Sequence, residues 1–234
     1  MATFTAFTEI LPDPSNPIGA AGQSLATGSG GVAGPGFASI QLESKNEIMR
    51  DRTNSGRLVS RSAAYHQWDI SISYNKMTKA QLEPVFNFLL EKQGSLKSFY
   101  VALPQYTSQA VTNKGLSAVA SAGATKLTVS STGVLAGAMF HIEDPENSAH
   151  IKAYKVTRVE TSSNYNSNDG VVASGTERIH FMPPLQRAIT ATTNVVLNFA
   201  DPLIRVIQSS DTQNYQLDND NLYSFSLKLE EALY

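Results

Sequence analysis

The sequence predicts a mainly β chain with one flanking helix and a long hairpin, carrying a small inserted β-barrel module. Three observations support this. Trp68, Ile70, Ile72 and Tyr74 alternate with Gln67, Asp69, Ser71 and Ser73, the period of two that marks a half-buried strand. The clearest helix is "MTKAQLEPVFNFLLEKQG", with a start signal and a stop signal at its ends. Beyond it, short apolar runs recur between turn clusters such as "STG", "EDPENS" and "SSNYNSNDG", the pattern of a small barrel or sandwich.

Taken in order, residues 11–36 are rich in Pro, Gly, Ser and Ala and nearly uncharged. Such a segment buries too little surface to offset its own ordering entropy, so residues 1–36 are expected to form an arm that orders only when a neighbour holds it. Residues 37–74 read as one hairpin, with Asn54-Ser55-Gly56 supplying turn residues that tolerate positive φ. An arm of about 18 residues at roughly 3.3 Å each is near 60 Å long, so its tip must project or bend. The stretch "RDRTNSGRLVSR", residues 50–61, places four arginines around that tip and offers no hydrophobic face.

In the helix, Thr78 and Gln81 have capping-box spacing, with Met77 and Leu82 placed for a staple. Leu82, Val85, Phe86, Leu89 and Leu90 read as its buried face, Pro84 predicts a kink, and Gly94 ends it. "LKSFYVALP" (96–104) reads as a buried strand. The runs "TKLTV", "AMFHI", "IKAYKVTRV", "RIHFM" and "TNVVLNFA" then define a second unit over residues 112–200. "PLIRVIQ" and "NLYSFSLKLEEALY" return to longer strands. They belong with the earlier sheet, making residues 37–111 and 201–234 one domain and 112–200 an insertion within it.

Composition narrows the function. The chain has 234 residues, 41% hydrophobic and 16% charged, with a formal net charge of −2 and no cysteine. That gives no whole-chain electrostatic footprint for nucleic acid or an anionic membrane, and it excludes disulfides, thiolate metal sites and cysteine nucleophiles. No apolar run approaches the roughly 20 residues of a membrane helix, and the N-terminus lacks a signal-peptide pattern, so synthesis in a cytoplasm and no membrane insertion are expected.

No catalytic constellation emerges. His66 and His180 lie in strand patterns with no carboxylate or histidine at ligand spacing. His141, Glu143, Asp144, Glu146 and His150 form one local cluster with metal-ligand chemistry, but Asp-Pro-Glu-Asn is ordinary turn chemistry and a polar hairpin loop is the preferred reading. "GSGGVAG" superficially resembles a phosphate loop without the strand, helix or lysine that would complete it. "LDNDNL" lacks the glycine and distant glutamate of a calcium loop and reads as a turn. No enzyme activity, cofactor or metal is expected.

The arginines remain. Arg50, Arg52, Arg57 and Arg61 against Glu47 and Asp51 leave residues 47–61 with a local charge of +2. A protein interface is the first reading, a solvated tip the second, and nucleic-acid contact the third, because no aromatics interleave for base stacking. Asp211, Asp218, Asp220, Glu230 and Glu231 supply an acidic match in the same chain.

From "SGRLVSR" through "HQWDISISYNKMTKAQLEPVFNFLLEKQGSLKSFYVALP", the order of features resembles tail proteins of long-tailed bacteriophages. "GATKLTVSSTGVLAGAMFHI", "YKVTRV" and "RIHFMPPL" are similar to a small β-module of their minor tail and baseplate proteins, and "YSFSLKLEEAL" to their closing strand. The resemblance implies a tail-tube-like β-sandwich or split barrel that assembles as a hexameric ring, adjacent hairpins lining a channel through which DNA passes in transit. It implies a structural virion protein of the distal tail or baseplate, joining the tail tube to hub and peripheral proteins. The hairpin tip, Arg50, Arg52, Asn54, Gly56, Arg57 and Arg61, is the expected subunit contact. The rivals are the major tail tube subunit and a tail-associated carbohydrate-binding β-sandwich, which would need exposed aromatics beside a groove.

Overall fold

The computed structural model describes residues 9–19, 31–107, 109–146, 150, 152–190 and 192–233, without the side chains of 63 and 64. Among the described residues the fold is mainly β with one α-helix, in the expected class. The chain divides into two compact units, one formed by Met1–Tyr100 with Val206–Ala232 and the other chiefly by Val101–Arg205.

The first unit is organised by a five-stranded sheet. Strand β1 (Phe37–Arg52) and β2 (Leu58–Tyr74) form the long hairpin. The sheet order runs β1, β2, β13 (Ser226–Glu231), β10 (Leu203–Gln208) and β3 (Phe99–Ala102). The alternation read from the sequence is realised, with Trp68, Ile70, Ile72 and Tyr74 buried and Leu227 and Leu229 paired to Ile72 and Ile70 on the same face.

Helix α1 (Lys79–Lys92) runs unbroken through Pro84. Its start is held by Gln81, whose Oε1 accepts from the Thr78 backbone N–H at 3.0 Å. The helix is rotated from the sequence expectation. Leu82, Val85, Phe88 and Leu89 are buried, whereas Phe86 is only partly buried and Leu90 is 53% exposed. Phe88 takes the inward position because it meets Phe99 edge-on at 5.3 Å. The end is left-handed at Gln93 as well as at Gly94 (φ 57° and 68°). Only glycine fits at 94, since a Cβ there would lie 2.7 Å from Asp211 Oδ1.

The N-terminal segment differs from the arm expected. Ile10, Leu11 and Ile18 are fully buried. Leu11 donates its backbone N–H to Tyr100 at 2.8 Å, and Tyr100 donates to Glu9 at 2.7 Å, adding a short parallel run to β3. Asp13 organises a tight turn by accepting from the N–H groups of Ser15 and Asn16 at 2.7 and 2.8 Å. Three well-placed apolar residues anchor residues 9–19 where average composition predicted nothing to bury. Residues 1–8 and 20–30 of the expected arm lie outside the described residues.

The second unit is a six-stranded sheet in the order β4 (Lys114–Gly115), β9 (Val196–Asn198), β6 (Met139–Glu143), β7 (Ala153–Glu160), β8 (Glu177–Met182) and β5 (Lys126–Val129). A bridge between Leu116 and Val129 ties the chain after β4 to β5, so the sheet curls strongly, but among the described residues no continuous ladder closes it into a barrel. Its core is aromatic: Phe140 packs on Tyr154, Phe181 and Phe199 with centroids 5.0–5.7 Å apart. Such pairs add to the free energy of simple area burial.

Candidate functional site

The hairpin has two unlike halves. Near its base, β2 pairs with β1 on one side and with β13 on the other over Asp69–Ser73. Polar contacts on the strands fix the register there, including Ser39 with Ser73 at 2.6 Å and Ser44 Oγ with His66 Nε2 at 3.0 Å. The register then slips between Asn46 and Ile48, where two β1 steps oppose four on β2. Such an irregularity bends a strand pair and ends regular pairing with a neighbour.

Beyond the slip, β1 and β2 have only each other among the described strands. Backbone N–H and C=O groups therefore line both outer edges, a template for further pairing. The turn is closed by Gly56 N–H to Thr53 C=O at 2.8 Å and by Thr53 N–H to Arg57 C=O at 3.0 Å. Gly56 has φ 81°, the left-handed region the turn requires.

Arg50 and Arg52 lie on β1, Asn54, Gly56 and Arg57 in the turn, and Arg61 on β2, all exposed. Pairing places Arg50 opposite Ser60, Arg52 opposite Leu58 and Arg61 opposite Met49. Among the described residues, none of these four guanidinium groups meets a carboxylate.

The arm is also less polar than its sequence implies. Ile48, Met49, Leu58, Val59 and Tyr65 are 41–64% exposed. The register divides the apolar residues between the two faces: Ile48 and Leu58 share one, Met49 and Val59 the other. A strand exposed on both faces keeps such residues scattered, so no period of two betrayed them. Exposed apolar side chains beside arginines are the composition of a protein interface.

The acidic residues set against these arginines are partly committed already. Glu231 is buried and accepts from the Trp68 N–H at 3.2 Å, so it is not on offer to a neighbouring chain. Asp218 pairs with Lys76 at 2.5 Å, and its Oδ1 also accepts from Asp220 and Leu222, forming the turn expected at "LDNDNL". Asp211 accepts from the Ser95 hydroxyl and N–H.

The local histidine and carboxylate cluster divides into separate pairs. His141 Nε2 lies 3.4 Å from Glu143, whose carboxyl is pulled down to about 2 by His141 and Asn198 against the opposing effect of burial. Asp144 accepts from Glu146 N–H in a turn, and His150 sits 3.9 Å from Asp144, its pKa pushed down by burial.

The fold assembles a different cluster, which local spacing concealed. Adjacent strands bring His180 Nε2 to 3.0 Å from Glu160, with Asp169 close by. The geometry would accommodate a cation, but the chemistry is that of an ion network. Glu160 already faces Arg158 and Arg178 at 3.0 Å each, and Asp169 faces Lys126 at 2.7 Å. Burial opposes ionisation of Glu160, yet His180, Arg178 and Arg158 outweigh it and hold its pKa below the usual carboxylate range.

The hairpin thus combines two long strands, an outer half without further strand partners among the described residues, and an arginine-bearing turn. No protein-family model matches the chain. It is, however, similar to the distal tail protein pb9 of Escherichia phage T5, with 26% identity over 204 residues covering 86% of this chain and 94% of that protein. The likeness to a bacteriophage distal tail protein, read first from the order of features, thus holds across most of both chains. It supports a structural role in a phage tail and a place in the virion.

Proposed function

We propose that this chain is a structural subunit of a bacteriophage tail, forming a ring at the distal tail or baseplate that joins the tail tube to hub and peripheral proteins. In this reading the protein works by assembly and has no catalytic role. Similarity to a distal tail protein over nearly the whole length of both chains supports the location. The observation that carries the mode of assembly is the outer hairpin, with two open strand edges, exposed apolar side chains and four arginines without carboxylate partners among the described residues.

A heterologous contact that repeats head to tail either closes into a ring or runs on as a filament. Closure pairs every hairpin edge with a neighbour's and removes the aggregation hazard of an exposed strand. Arg50, Arg52, Asn54, Gly56, Arg57 and Arg61 form the contact, and the ring, hexameric in this reading, encloses the channel for DNA in transit.

Electron microscopy of intact particles, with this chain localised, tests the proposal. A single hexameric ring at the tail tip, hairpins facing the channel, is the expected result. Many copies along the tail would make the chain the tube subunit instead. Absence from the particle would overturn the virion reading.

A further inference from the structure

We propose a saccharide-binding subsite on the first unit, beside the turn that follows β10 and distinct from the hairpin. Two adjoining hollows of about 260 and 330 Å³ share Asn214, Phe225 and Ser226. One wall is the segment 208–216, which leads into β11 (Gln216–Leu217), and the other is β12 (Tyr223–Ser224), paired with β11 and continuing into β13.

The chemistry of the lining selects the ligand. Ser209, Ser210, Thr212, Gln213, Asn214 and Ser226 present hydroxyls and amides on short or planar side chains, and Lys228 is the one charged residue of the lining among the described residues. Groups that both donate and accept, gathered without a field of one sign, suit a neutral polyhydroxylated molecule. The Gln213 side chain is held from one end: its Nε2 donates to Leu89 C=O at 3.0 Å and to Gln208 Oε1 at 2.8 Å. Its Oε1 is buried and has no hydrogen-bond partner among the described residues. A buried acceptor left unpaired is costly, and a small shift of this side chain toward the hollow would let a ligand hydroxyl donate to it.

The second ingredient is an exposed ring. Tyr215 lines the hollow and is 49% exposed. It is held edge-on by Phe86 at 5.2 Å and by Tyr223 at 5.3 Å. An aromatic face fixed in position offers the C–H face of a pyranose a stacking partner with little ordering cost. The lone tryptophan cannot serve, since Trp68 is buried in the sheet. The hollows have room for about one or two sugar rings.

The test is two-dimensional NMR of the full chain titrated with glucose, galactose and N-acetylglucosamine at millimolar concentrations. At least one should shift the amides of Gln213, Asn214 and Ser226 in a saturable way. Tyr215→Ala should weaken that binding at least about tenfold, while Tyr215→Phe retains it. Gln213→Ala, at a partly exposed loop position, should weaken it without disturbing the fold. Arg57→Glu should leave it unchanged, which separates this site from the assembly proposal. No saturable shift with any of the three sugars, shifts confined to other regions, or full binding by Tyr215→Ala would overturn the inference.

Discussion

Arg158 and Arg178 in the second unit and Arg50, Arg52, Arg57 and Arg61 in the hairpin of the first stand on or beside strands of similar kind. Their surroundings differ. Arg178 is nearly buried, bonded to Glu160 at 3.0 Å and to the carbonyls of Gly170 and Val171, so it ties a loop to the sheet. The hairpin arginines are exposed and meet no carboxylate among the described residues. Where a charge is satisfied inside its own chain it serves the fold. A charge without such a partner, on a strand with an open edge, is free to serve a neighbour. The first kind should be felt in unfolding and the second in assembly.

The largest expected effect is at Glu160. Glu160→Gln would leave Arg178 facing a neutral amide in a site about nine-tenths closed to water, and removing one partner of such a pair costs about 3 kcal/mol. Urea unfolding of the full chain measures this. A loss below about 0.5 kcal/mol would mean that solvent already satisfies the network, and the contrast between the two groups of arginines would collapse.

Smaller, and a sharper probe of the same network, is the response to acid. The folded-state pKa of Glu160 is held below its ordinary 4.5. A depressed carboxyl contributes stability that is fully present above its unfolded value and is lost as pH falls through the folded one. Stability should therefore decline as pH drops below about 4.5, and Glu160→Gln should make that decline shallower. Equal slopes in the two proteins would assign the acid sensitivity to other carboxylates with lowered pKa, such as Glu143 and Asp218.

These regions also differ in how much the sequence disclosed. Trp68 to Tyr74 announced their strand because one face is buried, which imposes the period of two. The turn at Asn54–Gly56 was legible because positive φ restricts residue choice. The Glu160 network was not, since His180 and Asp169 reach Glu160 only through strand pairing and a loop return that no local spacing encodes. The exposed apolar Ile48, Met49 and Val59 were not legible for the opposite reason: apolar residues on an arm without a core have no pattern to keep. The inward face of the helix was not legible either, because a contact on the following strand, Phe99, is what draws Phe88 inward.

On folding, the smallest expected effect is at the hairpin tip. Arg57→Glu alters an exposed turn residue whose main-chain groups, not its side chain, close the turn, so unfolding free energy should change by no more than about 0.5 kcal/mol. Its consequence lies elsewhere. Reversing one charge in every copy repeats the change at each contact of a closed ring, so modest losses at single interfaces compound around it. Incorporation into particles, measured in cells that make the variant in place of the native chain, should fall sharply, while Arg57→Lys should retain much of it because the charge survives without the bidentate geometry. Undiminished incorporation of Arg57→Glu would return the arginines to a solvated tip and leave the open strand edges alone to explain assembly. A loss shared equally by Arg57→Lys would show that the neighbour reads the guanidinium's planar fork rather than its charge, which points to a carboxylate held in fixed geometry on the receiving surface.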